Sequence, residues 1–150
     1  VDEQFRRAGP EDAVAVRELT RTAYAKWVPV IGREPKPMAA DYDRAVRDHL
    51  IDLIYRNNML VGLIEMTPQP DHILIENVAV APPYWGLGYG RKLMLQAEKV
   101  AISFGLQKTR LYTNQLFAEN VLIYRKLKYR VDREEMFSGS VVVHMSKHLS

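Results

Sequence analysis

The chain has 150 residues, 47% hydrophobic and 26% charged, a balance that lets one domain bury a core of its own. It contains no cysteine, which excludes disulfides, thiolate metal centres and a cysteine nucleophile, and suits a reducing cytoplasm. The net charge of +3 fits an anionic ligand, but the basic residues are spread along the chain and form no basic, aromatic-interleaved stripe of the kind that binds nucleic acid.

The opening segment VDEQFRRAGPEDA has no apolar centre of a signal peptide, and no later run reaches the roughly 20 apolar residues of a membrane span. A short strand, Phe5 to Ala8, runs into Gly9-Pro10-Glu11-Asp12, a helix start with proline in the first turn and acids at the positive dipole end. Val16, Leu19, Ala23 and Trp27 then recur at helical steps. Val28 to Ala40, punctuated by Pro29, Gly32, Pro35 and Pro37, reads as a loop or broken helix, and a short helix follows over Asp41 to Asp48. Leu50–Tyr55, Leu60–Met66 and Ile73–Ala81 read as an antiparallel meander broken at Asn57-Asn58 and at Pro68 to Asp71. Pro82-Pro83 ends the third strand. A helix over Arg91 to Phe104 buries Leu93, Ala97, Val100, Ala101 and Phe104 and stops at Gly105. Strand Thr109–Thr113, helix Ala118–Leu127 and strands Tyr129–Met136 and Val141–Ser146 complete the chain. This order predicts one domain over residues 1–150, of α+β or mixed α/β class, with a single central sheet.

Between the third strand and its helix lies Trp85-Gly86-Leu87-Gly88-Tyr89-Gly90-Arg91. Alternate glycines allow positive φ and close approach of the backbone to a ligand. The helix start adds free N–H groups and partial positive charge, and Arg91 and Lys92 add full charges, so the turn suits a pyrophosphate. A plain strand-to-helix turn would also use these glycines. A Walker loop requires Gly-Lys-Ser/Thr, which is missing, and the spacing Gly-x-Gly-x-Gly differs from the dinucleotide fingerprint Gly-x-Gly-x-x-Gly.

These residues resemble the GCN5-related N-acetyltransferase (GNAT) family. Its pyrophosphate motif, Gln/Arg-x-x-Gly-x-Gly/Ala after a strand ending in V-x-P, is matched by Val80-Ala81-Pro82 and Trp85 to Gly90, with Trp85 in place of Gln or Arg. Downstream, Glu119-Asn120 through Tyr124 to Lys128-Tyr129 resembles the family's tyrosine-bearing helix, with Lys128 at the usual glycine. The resemblance extends over nearly the whole chain. It implies a mostly antiparallel sheet with a splayed strand pair and flanking helices, acetyl-CoA as cosubstrate, no metal, and acetyl transfer to a primary amine of a small molecule or protein by direct attack in a ternary complex.

The resemblance also implies roles for particular residues. A bulge would splay the strand containing Val78, Ala79 and Val80 from its parallel neighbour, and the pantetheine arm would bond these main-chain groups, with the Val78 N–H polarising the thioester carbonyl. Trp85, Gly86, Leu87, Gly88, Tyr89, Gly90 and Arg91 would bind the cofactor around its diphosphate. Tyr124 is the candidate general acid, or else a core aromatic. Asn120, one turn earlier on the same face, would contact the cofactor arm or serve as a surface cap, and Asn114 is a similar candidate at a strand end. Glu76, two residues before Val78 and so expected on the same sheet face, is the candidate base, unless water alone relays the proton. Tyr24, Trp27 and Glu65 are candidates for the acceptor side, with packing as the alternative for each. Residues Tyr24 to Tyr42 would shape the acceptor pocket. His72 and Asp71 read as turn residues. Some relatives dimerise through closing strands, which makes Val141–Met145 a candidate contact, although V-V-V-H-M also suits a buried central strand. A catalytically silent acyl-CoA sensor on the same scaffold is the alternative function.

Overall fold

The computed structural model describes Val1–Ser150. Apolar runs form the central strands and two polar, exposed segments form the edges β1 and β6, giving seven strands: β1 (Glu3–Arg7), β2 (Leu50–Arg56), β3 (Met59–Pro68), β4 (Ile73–Val80), β5 (Lys108–Asn114), β6 (Arg130–Phe137) and β7 (Ser140–His148). The helices are α1 (Ala13–Tyr24), the single turn α2 (Val28–Ile31), α3 (Tyr42–Asp48), α4 (Tyr89–Ser103) and α5 (Ala118–Lys126). One sheet runs in the order β1-β2-β3-β4-β5-β7-β6, antiparallel except where β4 meets β5.

Local chemistry sets the helix ends. The Asp12 carboxylate accepts from the Gly9 N–H at 2.8 Å and from both terminal nitrogens of Arg6, at 2.9 and 2.8 Å, fixing the entry to α1. Asp41 caps α3 by accepting from the Arg44 N–H at 3.2 Å. The stretch expected as loop or broken helix is a broken helix: α2 stops at left-handed Gly32 (φ +75°), and a 3-10 turn spans Lys36–Ala39. Helix α4 begins at Tyr89, two residues before the predicted Arg91, because left-handed Gly88 serves as its N-cap. Phe104, expected in the buried stripe, is instead 50% exposed, since the helix closes around it before Gly105.

Two apolar clusters sandwich the sheet. Leu93, Met94, Ala97, Val100 and Ala101 of α4 pack on Ile64, Met66, Ile73, Ile75, Leu111 and Met145. Val16, Leu19 and Ala23 of α1 and Ala45 and Val46 of α3 pack on Ile51, Leu53, Leu63 and Ala79. On that second side α1 lies over β4 and α3 over β2, and neither packs to a comparable extent on β5, β6 or β7. The sheet face formed by those three strands is therefore left open beside α1. Strand β7 is paired on both sides, with β5 and β6, so Val141–Met145 takes the central-strand alternative and the free edge belongs to β6.

Candidate active site

Strands β4 and β5 pair only over Ile73–Ile75 and Thr109–Leu111, then diverge. A bulge accompanies the divergence: Glu65 faces Asn77 while the next residue, Met66, faces Ile75, leaving Glu76 as the extra residue on β4. Past the bulge, Ala81 donates its N–H to Val61 on the β3 side at 2.9 Å. Main-chain groups alternate between neighbours along an antiparallel strand, so those of Val78 and Val80 point into the gap toward β5. Side chains reach both carbonyls there. The Tyr24 hydroxyl donates to Val78 O at 3.3 Å, and the Trp85 indole N–H donates to Val80 O at 2.6 Å.

The same bulge corrects one expectation. Period-two alternation placed Glu76 on the face of Val78, but the extra residue reverses the parity. Glu76 accepts from the Thr67 hydroxyl at 3.0 Å, and Thr67 follows Leu63 and Glu65 on the face toward α1 and α3. Val78 packs toward α4. Glu76 and Asn77 thus both turn to the α1 side, together with Glu65.

Beyond Ala81, Gly86 (φ +79°) and Gly88 (φ +88°) hold left-handed backbone that side-chain-bearing residues rarely adopt, and they deliver the chain to the α4 N-terminus. Gly90 lies in the first helical turn with open space where a Cβ would stand, and that turn contains no acidic residue. Leu87 and Arg91 are exposed at the mouth. Tyr89 differs: its ring is buried, and its hydroxyl donates to Glu3 at 2.7 Å, so only its main chain faces the turn. Lys92, expected as a free charge beside the cradle, is paired with Glu3, whose carboxyl is held below its ordinary value by Lys92 and Tyr89. Lys26 spans the gap above Trp85. Its ammonium lies 4.3 Å from the Trp85 ring, 4.7 Å from the Trp27 ring and 3.3 Å from Glu119 of α5.

Tyr124 of α5 lies half-buried against the same apolar cluster on which Val78 and Val80 pack. Lys128, standing where the family has its usual glycine, adopts φ +78°, the Tyr129 N–H returns to Tyr124 O at 3.0 Å, and the Lys128 N–H bonds Arg125 O at 3.0 Å. That pattern is a Schellman end. The Tyr124 phenol is pushed up to about 12 by burial alone. Burial, then the neighbouring Tyr124 and Tyr42, raise the Tyr24 phenol well above its ordinary value, so Tyr24, bonded to Val78 O, keeps its proton beside the Tyr124 phenol. Trp27 is buried and stacked on Phe117, with ring centroids 4.5 Å apart, which ties the end of α1 to the start of α5. Asn114 caps its own turn, accepting from the Leu116 N–H at 2.9 Å. Asn120 is half-buried, one turn before Tyr124 on the same helix.

On the α1 side Glu65 is 6% exposed and lies 2.5 Å from His49 Nδ1. Burial raises its carboxyl, partly offset by His49. Asn77, buried beside it, donates to Thr20 at 3.1 Å and Tyr42 at 3.3 Å, while its Oδ1 has no partner. Tyr112 on β5 lies near both carboxylates; partial burial first, then Glu76 and Glu65, raise its phenol. Sequence reasoning missed His49, Thr67, Asn77 and Tyr112. Asn77 left a signal, a second polar residue beside Glu76 inside the apolar run ILIENVAV. His49 left none, because only the β2–β3 pairing brings it to Glu65.

Known proteins share this chain's family and fold. Residues 14–129 match the acetyltransferase (GNAT) family. The crystal structure of PaiA N-acetyltransferase from Thermoplasma acidophilum in complex with coenzyme A superposes with a TM-score of 0.83 at 19% identity, covering 99% of both chains. An IAA acetyltransferase from Bacillus cereus gives 0.75 at 18% identity, over 99% of this chain and 100% of that one. The ribosomal-protein-S18-alanine N-acetyltransferase from Escherichia coli gives 0.77 at 14%, over 99% and 95%. No curated protein matches the chain in sequence. The family match over most of the chain, together with the splayed β4–β5 pair and the glycine turn feeding α4, establishes that this protein is a member of the GNAT acetyltransferase family.

Proposed function

We propose that the chain is an acetyl-CoA-dependent N-acetyltransferase acting on a primary amine by direct attack in a ternary complex. The observation that carries this reading is the gap between β4 and β5, where the main-chain groups of Val78 and Val80 face away from β3, with Tyr124 of α5 packed on the same apolar cluster as those two valines. Peptide groups so freed in a strand suit an extended amide-bearing arm, and the left-handed turn at Gly86 and Gly88 before α4 suits its diphosphate. When bound, acetyl-CoA supplies the acetyl group as a thioester.

The chain's own groups then have distinct tasks. Main-chain amides from Leu87 to Arg91 hold the diphosphate, with the Arg91 charge at the mouth. The main chain of Val78, Ala79 and Val80 aligns the arm, and the Val78 N–H polarises the carbonyl to be attacked. Tyr124 keeps its proton at neutral pH, its phenol pushed up to about 12. An alkyl thiol is a stronger acid than this buried phenol, so Tyr124 stabilises the departing sulfur chiefly as a hydrogen-bond donor. Asn120 and Asn114 flank the arm from α5 and β5. Glu76 and Glu65, on the opposite face, receive the ammonium and draw off its proton, directly or through water. The raised carboxyl of Glu65 brings it closer to the amine in basicity. Tyr24 stands between the two sides, its hydroxyl on Val78 O. Trp27 contributes by packing, as the brace that holds α5 in place.

Thiol release from acetyl-CoA over a panel of amines and peptide N-termini, with mass detection of the acetylated product, tests the proposal. Turnover on an amine supports it. Calorimetric binding of acetyl-CoA with no turnover on any acceptor would instead make the protein an acyl-CoA sensor.

A further inference from the structure

The open sheet face beside the carboxylates holds a cavity of about 280 Å³, lined by residues that include His72, Leu74, Arg110, Tyr112, Arg133 and His144. Its charges are unequally matched. Asp71 bonds His72 at 2.6 Å, Glu135 bonds His144 at 2.6 Å and lies 3.4 Å from Arg133, and Asp132 lies 3.9 Å from Arg130. Each of these carboxylates is already engaged. The guanidinium of Arg110, half-buried on β5, makes no salt bridge and no side-chain hydrogen bond; its charge acts on Asp71 only at longer range, after His72 and Lys108. Opposite it in the ladder, Ser146 is 1% exposed and its hydroxyl also lacks a partner. A partly desolvated guanidinium with five free donors favours a planar or tetrahedral anion.

Position decides which anion. Arg110 sits beside Leu74 in the parallel β4–β5 register, and Tyr112, two residues on, lies next to Glu76. Val80, where β4 leads to the glycine turn, is six residues from Leu74, roughly 20 Å along the strand. The diphosphate cradle is therefore out of reach, whereas the proposed attack point at Val78 is roughly 13 Å along the strand, a span that an arginine side chain lying along the face shortens. The cavity is near the lower limit of small-molecule pockets and opens on the same face as Glu76 and Glu65.

We propose that Arg110 anchors an anionic group of the acceptor, so that the preferred substrates are small amines bearing a carboxylate or phosphate several bonds from the nitrogen. This rests on the acetyltransferase reading given above and names its substrate class. The test uses ω-amino carboxylic acids of graded length, their carboxamides and the matching phosphonates, with the wild type, Arg110→Gln and Arg110→Lys. One readout is kcat/KM by thiol release; the other is calorimetric binding of the same probes to coenzyme A-loaded protein, which needs no turnover. The expected wild-type preference for an anionic probe over its carboxamide is about tenfold or more. Arg110→Gln brings that ratio near one, and Arg110→Lys restores part of it. The carboxylate and phosphonate series show which anion fits. A wild-type ratio near one, or a ratio that Arg110→Gln leaves unchanged, overturns the proposal. Absence of turnover on every amine would contradict the acetyltransferase reading alone, because the binding ratios still decide the role of Arg110.

Discussion

The indole N–H of Trp85 donates to the main-chain carbonyl of Val80 at 2.6 Å, on the side of β4 that faces the splayed gap. The residue standing where relatives have Gln or Arg thus occupies a group that the pantetheine arm is proposed to use. Binding has to displace it. Trp85→Phe keeps a ring for the Lys26 ammonium but removes the donor. One hydrogen bond is worth about 0.5–1.5 kcal/mol net, so affinity for coenzyme A should rise roughly two- to tenfold. Titration calorimetry of the two proteins checks this; equal or weaker binding by the variant would mean that Trp85 assists the cofactor and does not compete with it.

Tyr124 depends on how α5 ends. Lys128 holds φ +78° at the position after the helix cap, a left-handed conformation that costs a side-chain-bearing residue about 1–2 kcal/mol. Lys128→Gly should raise the melting temperature by about 2–4 °C for each kcal/mol recovered. An unchanged or lower value would show that the lysine side chain offsets its own strain.

Tyr124→Phe keeps the packing against Tyr129, whose ring centroid is 6.3 Å away, and deletes only the hydroxyl. We expect kcat to fall about 100-fold or more, with coenzyme A affinity nearly unchanged. Steady-state kinetics beside calorimetry separate the two effects. An intact kcat would return Tyr124 to the core.

Burial lifts the Glu65 carboxyl above its ordinary 4.5. The folded chain therefore holds this proton more tightly than the unfolded chain. Glu65's contribution to stability is complete below the ordinary value and is lost as pH rises through the folded one. Glu65→Gln keeps the uncharged shape and removes that loss. Its melting temperature should fall less than that of the wild type as pH rises from about 4 toward neutrality. Parallel melting curves would show that His49 compensates the charge completely.

Much of the fold was legible because each element carried its own punctuation: Pro10 and Asp12 before α1, Asn57-Asn58 between β2 and β3, Pro82-Pro83 after β4 and Gly105 after α4. The glycine turn and the position of Tyr124 were legible as motifs, and the left-handed backbone of Lys128 matches its standing at the family's usual glycine. What stayed hidden depends on register. Nothing local marks Glu76 as a bulge, so alternation placed it on the wrong face. The His49–Glu65 pair, the indole of Trp85 on Val80 and the ion pair that occupies Lys92 each join residues distant in the sequence or turned back across a loop. Phe104 looked buried by helical period, but it falls at the cap after α4 ends and is half exposed.

Main-chain amides at the start of α4 are proposed to hold the cofactor's diphosphate, and the rest of the mechanism depends on that grip. Gly90→Asp addresses it most directly, because a Cβ there meets no atom within 4 Å and the first turn carries no acid. An aspartate at that site favours the helix dipole by about 0.3–1 kcal/mol, yet places a negative charge where the diphosphate would sit. Calorimetric titration with coenzyme A should show affinity reduced by about tenfold or more in a variant that melts no lower than the wild type. Undiminished affinity in that folded variant would contradict the account.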